Sequence, residues 1–347
     1  MITIESFDQS RKKEWDDYVN ASPGGTFYHL SGWVDVLGNA YHIDSQYLMA
    51  LDSKDTIVGI LPMFLMRDIF LRSYLVSNPF SNFCGVRADS SQIESALIER
   101  AKSIVVEKGI RYLEIRNLEH ATPFLERTET DFVTMTLDLR EGKSNIWKKG
   151  INSKVRNSVR KGEKSGLEFD SGNHYLNDFY TVFSTNMRDL GTPTHSLRFF
   201  EEIVNAFGEI VKIFVVKSDG KTVGAMFSFS YKNVFSEPWA STLRGYNHMC
   251  PADFLYWGAI QHACHTANQT FDFGRSTLNT GTYKFKKKWG AKPTPLIYQY
   301  FKNTAQQIQV IDANAGKYQL MVSLWKRLPL PVSRLVGSRI IRHLHEL

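Results

Sequence analysis

Apolar residues recur along this chain with two periods, alternation at every second position and a helical spacing of three and four, and the two follow one another in the same order in both halves. Residues 15–18 and 27–37 read as two short helices separated by the turn Ser22-Pro23-Gly24-Gly25. Two alternating runs at 47–51 and 57–65, joined through Asp52-Ser53-Lys54-Asp55, form a hairpin pattern. The stretch 75–86 is mixed, with Asn78-Pro79 and Ser81-Asn82 as breakers. A helix follows at about 91–108: Ser90 or Ser91 caps it, Ile93, Leu97, Ile98, Ala101, Ile104 and Val105 keep its spacing, and Gly109 ends it. Strands at 111–116 and 132–139 close the half.

The second half repeats that order. Residues 210–216 and 223–230 form a hairpin about the turn Lys217-Ser218-Asp219-Gly220-Lys221, and a third strand runs from Val234-Phe235 toward Trp239. A helix at about 253–267 leads into a strand at Phe271, and 296–301 supplies a last strand. In places the match reaches single residues. Thr56-Ile57-Val58-Gly59-Ile60 stands opposite Thr222-Val223-Gly224-Ala225, and Leu113-Glu114-Ile115-Arg116 opposite Phe271-Asp272-Phe273-Gly274-Arg275. One α/β unit is therefore used twice, and the connection rules give it a mixed sheet with a helix crossing between parallel strands. The expected domains are 1–145 and 146–304, with a helical extension over 305–347.

Two segments stand apart from the repeat. Residues 145–166 carry Lys148, Lys149, Lys154, Arg156, Arg160, Lys161 and Lys164 against one acid, Glu163. As a helix over 153–165 they would dock by Val155 and Val159 and present Arg156 and Arg160 on a neighbouring strip. A solvated linker helix is the alternative to a basic binding surface. In the tail, 318–328 reads as an amphipathic helix, Pro329 and Pro331 break it, and 332–344 resumes with Arg334, Arg339 and Arg342 among apolar residues. Such a segment either covers the second domain or lies on a membrane surface.

Composition adds outer limits. A length of 347 residues favours two domains, and 43% hydrophobic with 22% charged residues is ordinary for a globular protein, so disorder is not the default. The net charge of +7 admits polyanions or anionic lipid as partners. Cys84, Cys250 and Cys264 form no close pair, so neither a zinc knuckle nor a disulfide framework is expected. No metal site is expected either. The start Met1-Ile2-Thr3-Ile4-Glu5 lacks the features of a secretory signal and no apolar run reaches membrane-spanning length, so a cytoplasmic location is expected, with the inner membrane face open through the tail. G-x-S-x-G, Walker and H-E-x-x-H motifs are absent.

The most distinctive stretch is Phe271-Asp272-Phe273-Gly274-Arg275-Ser276, followed by Gly281-Thr282-Tyr283-Lys284-Phe285-Lys286-Lys287-Lys288-Trp289-Gly290. Its alternation reads as a strand and a polar turn. Lysines interleaved with Tyr283, Phe285 and Trp289 then give one face for a core and one for positive charge. The pattern Phe285-Lys286-x-x-Trp289-Gly290 after a Phe-Asp-Phe-Gly-Arg strand resembles the C-terminal signature of the FemAB-type acyl and aminoacyl transferases, closest to the subset found with exosortase and exopolysaccharide systems. Lys154-Val155-Arg156-Asn157 through Lys164 is similar to that family's basic segment, and His29 after Phe27-Tyr28 to its Tyr-His beginning. The resemblance implies two tandem GNAT acyltransferase domains.

It also implies roles. Lys286 occupies the position of the family's lysine that faces the transferring carbonyl or substrate phosphates, where it would stabilise developing negative charge. Arg275 at the end of the strand is expected to contact acceptor or phosphate, with Lys284, Arg156 and Arg160 contributing further charge and Trp239 lining the groove. Tyr283 would orient the acceptor or protonate a leaving group; packing in the core is its other role. Glu237, held extended by Pro238, is the candidate for taking the amine proton and Asp272 its reserve; a salt bridge to arginine is the alternative for each.

The function so implied is N-acyl transfer from a thioester (acyl-coenzyme A) or a transfer RNA ester to an amine of a nucleotide- or lipid-linked sugar or peptide precursor of the cell envelope or exopolysaccharide. No cofactor is expected to be bound permanently. The chain lacks the long helical-hairpin insertion of some peptidoglycan-bridge members, which weighs against the transfer RNA donor. From a different class, a duplicated fold whose basic groove merely binds a polyanionic glycan or nucleic acid accounts for the same charge pattern.

Overall fold

The computed structural model describes residues 2–118, 120–128, 130–303 and 316–344. They form two compact units, one from residues up to Phe132 together with the chain from Pro295 and from Arg339, the other from Val133–Thr294 and the tail up to Ser338. The expected start of the tail at 304–305 lies outside the described residues.

In the first unit β1 (Thr3–Ser6), β3 (Leu48–Leu51), β4 (Ile57–Leu61) and β7 (Arg87–Ala88) make one antiparallel sheet in the order β1-β3-β4-β7. A second runs β16-β8-β6-β5-β2, from the strands Lys292–Lys302, Tyr112–Leu118, Ser73–Val76, Phe64–Arg67 and Asp44–Ser45, with β9 (Glu126–Thr128) also on β16. The run expected as one strand over 57–65 breaks into β4 and β5 at Pro62, which has no N–H to offer a ladder. The expected helix over 27–37 likewise divides, into a single turn at Phe27–His29 and α2 (Gly32–Tyr41), after α1 (Lys12–Ala21). His29 is a buried link: one ring nitrogen meets Thr26 and the other lies 2.9 Å from the Gly85 carbonyl. The helix α3 (Ser91–Glu107) forms as its spacing requires, capped by Ser90, with Ile93, Leu97, Ile98, Ala101, Ile104 and Val105 buried against Leu48, Leu61 and Ile115.

The second unit is one sheet in the order β11-β12-β13-β14-β15-β10, from Glu168–Ser171, Val211–Ser218, Lys221–Tyr231, Val234–Thr242, Thr270–Thr277 and Phe132–Asp138. Its hairpins close through Asp219-Gly220 and Lys232-Asn233, all four at positive φ, as two-residue turns matched to strand twist require. Both faces are covered. On one, α5 (Ser153–Lys164) and α8 (Pro251–His265) bury Val155, Val159, Leu255, Tyr256 and Ala259 against Met226 and Phe271; α4 (Gly142–Asn145) lies just before this layer. On the other, α6 (Leu176–Leu190) and α7 (Leu197–Phe207) pack Phe179 and Phe200 on Phe227 at ring distances of 5.3 Å. Pattern reading leaves 167–209 unassigned, although Phe179, Val182 and Phe183, then Phe199, Phe200 and Ile203, keep helical spacing and are buried.

The order of elements matches the repeat, with one exchange: the strand at 132–138 lies in the second unit's sheet and the strand from Pro295 in the first unit's, pairing Leu296–Lys302 with β8. In the tail, α10 (Gly316–Trp325) is followed by α11 (Leu330–Ile341). Pro331 lies in the first turn of α11 rather than before it, where a missing N–H is harmless. The basic stretch after β15 is itself a helix, α9 (Gly281–Lys288).

Gly290 ends that helix at φ +83°, and a Cβ there would stand 2.7 Å from the Gly150 carbonyl. Gly290→Ala is therefore expected to lower the unfolding free energy by about 2 kcal/mol or more in urea titration; an unchanged midpoint would show that the contact does not constrain the turn.

Candidate active site

The central feature of the second unit is the parting of two parallel strands. β14 and β15 are in register only through Val234↔Thr270, Phe235↔Phe271 and Ser236↔Asp272. Just past that point each becomes irregular. On β14 the register with β13 shifts between Ser236↔Phe229 and Trp239↔Phe227, so Glu237 and Pro238 together oppose one residue: a bulge, and the position at which a strand tolerates proline. On β15 Gly274 takes φ +70° within the strand, and its N–H donates to Asp272 Oδ1 at 2.8 Å. The Thr134 hydroxyl donates to the same oxygen at 2.6 Å. Asp272 thus fixes the kink in the strand beside it.

Lys286 points into this region. Its neighbours on α9 set its direction: Phe285 and Trp289 pack on Tyr256 at ring distances of 5.2 and 6.1 Å, turning that face of the helix inward. Lys286 is buried while Lys284, Lys287 and Lys288 are exposed, so the expected division into an apolar face and a charged face with four lysines fails at this one residue. Its ammonium donates to the carbonyls of Gly274 at 3.1 Å and Arg275 at 2.9 Å, beyond the point where the strands part. An ammonium has three donors, so these two bonds leave one.

Two buried carboxylates share the site. Glu237, from the bulge, accepts a hydrogen bond from the Tyr256 hydroxyl on α8. Burial pushes its carboxyl up to about 8, against the pull of Lys286 and the hydrogen bond from Tyr256, and Asp272 adds to the rise. Burial also raises Asp272, opposed by its bonds from Thr134 and Gly274 and by Lys286. Lys286 is lowered by burial against the attraction of Glu237 and Asp272. Two acids and one base held out of water favour exchangeable protons over fixed charges.

The structure brings Lys286, Glu237 and Asp272 together, with the backbone of Arg275. Trp239 lies two residues along β14, ringed by Phe199, Phe200, Phe227 and Phe229 at 5.2–6.1 Å and by His195 at 5.9 Å. Tyr283 is half-buried at the edge of the core, and Lys284 is exposed on the outer side of α9. Arg156 donates to the carbonyls of Trp147 at 3.2 Å and of Ile151, while Arg160 is exposed over the Trp147 ring at 5.7 Å. Neither arginine joins the carboxylate cluster through these contacts. Sequence reading missed Tyr256, Thr134 and Ser276; the Ser276 hydroxyl on β15 is buried with no partner. Pro238 inside an otherwise good strand was the available signal for the bulge.

The first unit has a counterpart of the parting and fills it. β6 and β8 are parallel only through Leu75↔Leu113 and Val76↔Glu114. Residues 77–85 then occupy the space: Arg116 reaches the carbonyls of Pro79 at 2.8 Å and Ser81 at 3.0 Å, and the Cys84 N–H donates to the Arg116 carbonyl. A buried ion pair, Arg116 to Glu114 at 2.6 Å, completes the plug.

A GNAT acetyltransferase domain model matches residues 150–287, the part of the chain that carries the parted strands, Glu237 and Lys286. Among solved structures, FemX aligns with TM-score 0.66 at 14% identity over 85% of this chain and 96% of its own. The C-terminal domain of a putative lysylphosphatidylglycerol synthetase from Agrobacterium fabrum gives 0.58 at 12% identity over 84% and 91%. A tandem GNAT protein from the clavulanic acid biosynthesis pathway gives 0.56 at 9% identity over 88% and 100%. A comparison with curated proteins finds no match. The fold is a mixed α/β tandem of GNAT type, as the repeat and the resemblance implied, and it is an acyltransferase fold. Among the described residues no cluster of ligating side chains could hold a metal ion, and no helix is long and apolar enough to cross a membrane.

The Glu237 shift has a consequence for stability. An ordinary glutamate titrates near 4.5 and this one near 8, so the folded state retains a proton that the unfolded chain releases. The contribution is whole below 4.5 and is lost as pH rises through 8. Between about pH 5 and about pH 9, Glu237→Gln should lose less stability than the parent protein, by a few kcal/mol in urea unfolding; parallel profiles would show that Glu237 is ionised in the fold throughout.

Proposed function

We propose that the protein is an N-acyltransferase whose reaction takes place where β14 and β15 part, with an acyl thioester such as acyl-coenzyme A as donor. The observation that carries this is the buried set Lys286, Glu237 and Asp272 at the separation of the strands. The β14 and β15 edges beyond Ser236 and Asp272 present main-chain groups with strand spacing, suited to an extended amide-bearing arm, and the orphaned Ser276 hydroxyl fits a polar group of such a ligand. The plugged counterpart in the first unit leaves the second as the donor-binding half.

In this reading the acceptor amine attacks the thioester carbonyl, a C–N bond forms, and the C–S bond breaks to release a thiolate, which takes a proton from Tyr283 or from water to leave as the thiol. Glu237 takes the amine proton; with its carboxyl raised toward the operating pH it is matched to that task. The third N–H of Lys286, fixed by two carbonyls, stabilises the developing oxyanion. Tyr256 orients Glu237, and Asp272 maintains the β15 kink that positions the Lys286 acceptors. Arg275, Trp239 and Tyr283 line the approach for the acceptor. The exposed cations of α5, Arg160 among them, would meet phosphates of the donor, and Lys284 those of a nucleotide- or lipid-linked precursor. The acceptor class, an amine on an envelope or exopolysaccharide precursor, rests on the FemAB resemblance, and a transfer RNA ester is the alternative donor.

The test is transfer from acetyl-, succinyl- or longer acyl-coenzyme A to amino-sugar acceptors, followed by free thiol. Lys286→Ala and Glu237→Gln should each lower kcat by about 10²–10⁴-fold with the fold retained, and the Glu237-dependent rate should rise with pH up to about 8. Thermal stabilisation by every polyanion alike, abolished by moderate salt and indifferent to Lys286→Ala, would instead identify a polyanion-binding module.

A further inference from the structure

The turn between β5 and β6 holds three consecutive apolar side chains in solvent: Ile69, Phe70 and Leu71 are 64%, 70% and 77% exposed. The turn is not slack. Asp68 Oδ1 accepts the N–H groups of Phe70 at 2.9 Å and Arg72 at 3.0 Å, and the Leu71 N–H donates to the Asp68 carbonyl at 3.0 Å. Leu71 sits at φ +60°, a conformation that disfavours a leucine. The other Asp68 oxygen binds the Tyr74 hydroxyl at 2.7 Å and Arg72 Nε at 2.5 Å, which turns the one carboxylate of the turn inward. Exposed Arg67 and half-buried Arg72 flank the tip. The end of the chain is tied to the same place: a ring nitrogen of His343 lies 2.7 Å from the Arg67 carbonyl, next to exposed Arg342.

A second exposure lies on the tail helices. Leu320, Met321 and Leu324 of α10 and Val332 and Leu335 of α11 are 42–68% exposed. With the tip they make eight of the thirteen large apolar side chains exposed among the described residues. The inner faces of these helices are already used: a Cβ on Gly191 would stand 2.5 Å from Val322, and one on Gly337 would stand 3.0 Å from the Thr194 nitrogen. Residues 316–344 contain no Asp or Glu, and Lys326 and Arg327 at the bend are exposed.

We propose that the protein docks peripherally on an anionic lipid bilayer. Ile69, Phe70 and Leu71 enter the boundary between head groups and acyl chains, and the cations beside them, Arg67, Arg72 and Arg342, meet lipid phosphates; the exposed apolar side chains of α10 and α11 are a separate surface of the same chemistry in the other unit. A rigid apolar tip flanked by cations, with its carboxylate turned away, and apolar helical side chains left in solvent beside Lys326 and Arg327, suit that surface. Protein partners of mixed charge would leave the cations unmatched. This inference does not depend on acyl transfer, because docking is measured without substrate.

Flotation of the full chain with vesicles of equal parts phosphatidylglycerol and phosphatidylcholine should recover bound protein at about 0.1 M salt, at least about tenfold more than with phosphatidylcholine alone. Phe70→Ser with Leu71→Ser should reduce binding about tenfold or more, and Leu320→Ser with Leu324→Ser several-fold. Should the tip variant misfold, Phe70→Trp still reports: its emission should shift to the blue and be quenched by brominated acyl chains. Absence of flotation, binding indifferent to these substitutions, or a dimer in sedimentation that the tip variant dissolves would each overturn the proposal, the last by assigning the face to a second copy.

Discussion

Burying an ammonium group is the constraint on which the second unit depends. Lys286 leaves water for a buried place beside β15, a change that costs several kcal/mol unless the charge finds compensation. Compensation comes from two main-chain carbonyls and from the field of two carboxylates. The carbonyls are accessible because β15 is kinked at Gly274, and the kink is held by Asp272. The carboxylate opposite is positioned by the bulge in β14. Cation, kink, bulge and strand separation therefore form one arrangement, and removing a member leaves the others strained or unpaired.

The two halves use the same parting of parallel strands for opposite ends. In the first it is closed by the chain's own segment 77–85, anchored through Arg116 on Glu114 and on the carbonyls of Pro79 and Ser81. The ion pair there is buried on both sides, and Arg116 also reaches two main-chain carbonyls. In the second the charged groups beside the parting carry shifted protonation instead. The same strand arrangement thus holds a closed ion pair in one unit and a set of shifted acids and a lysine in the other.

Much of the fold was legible because it rests on local periodicity. The hairpin about Asp219-Gly220, the cap at Ser90 and the buried stripe of α3 follow from residues close in sequence. The strand break at Pro62 was legible in principle and was overridden by the apolar run around it. Helices α6 and α7 were equally legible, since their phenylalanines keep helical spacing and are buried, although 167–209 stands unassigned in the sequence pattern. The exchange of the strands at 132–138 and from Pro295 could not be read, since pairing partners more than a hundred residues apart leave no local mark.

The site divides in the same way. Sequence by itself determined that a basic stretch interleaved with aromatic residues follows a Phe-Asp-Phe-Gly-Arg strand, that Glu237 is held beside a proline, and that the chain is a duplicated α/β unit. Helical phase alone does not say which lysine turns inward, because the answer depends on where Phe285 and Trp289 find Tyr256 on α8, across the intervening strand β15. The partnership of Glu237 with Tyr256 and the anchoring of Asp272 by Thr134 were likewise decided only by tertiary structure. Protonation follows the same rule, since it is set by burial and by neighbouring charge, and neither exists until the strands and helices have packed.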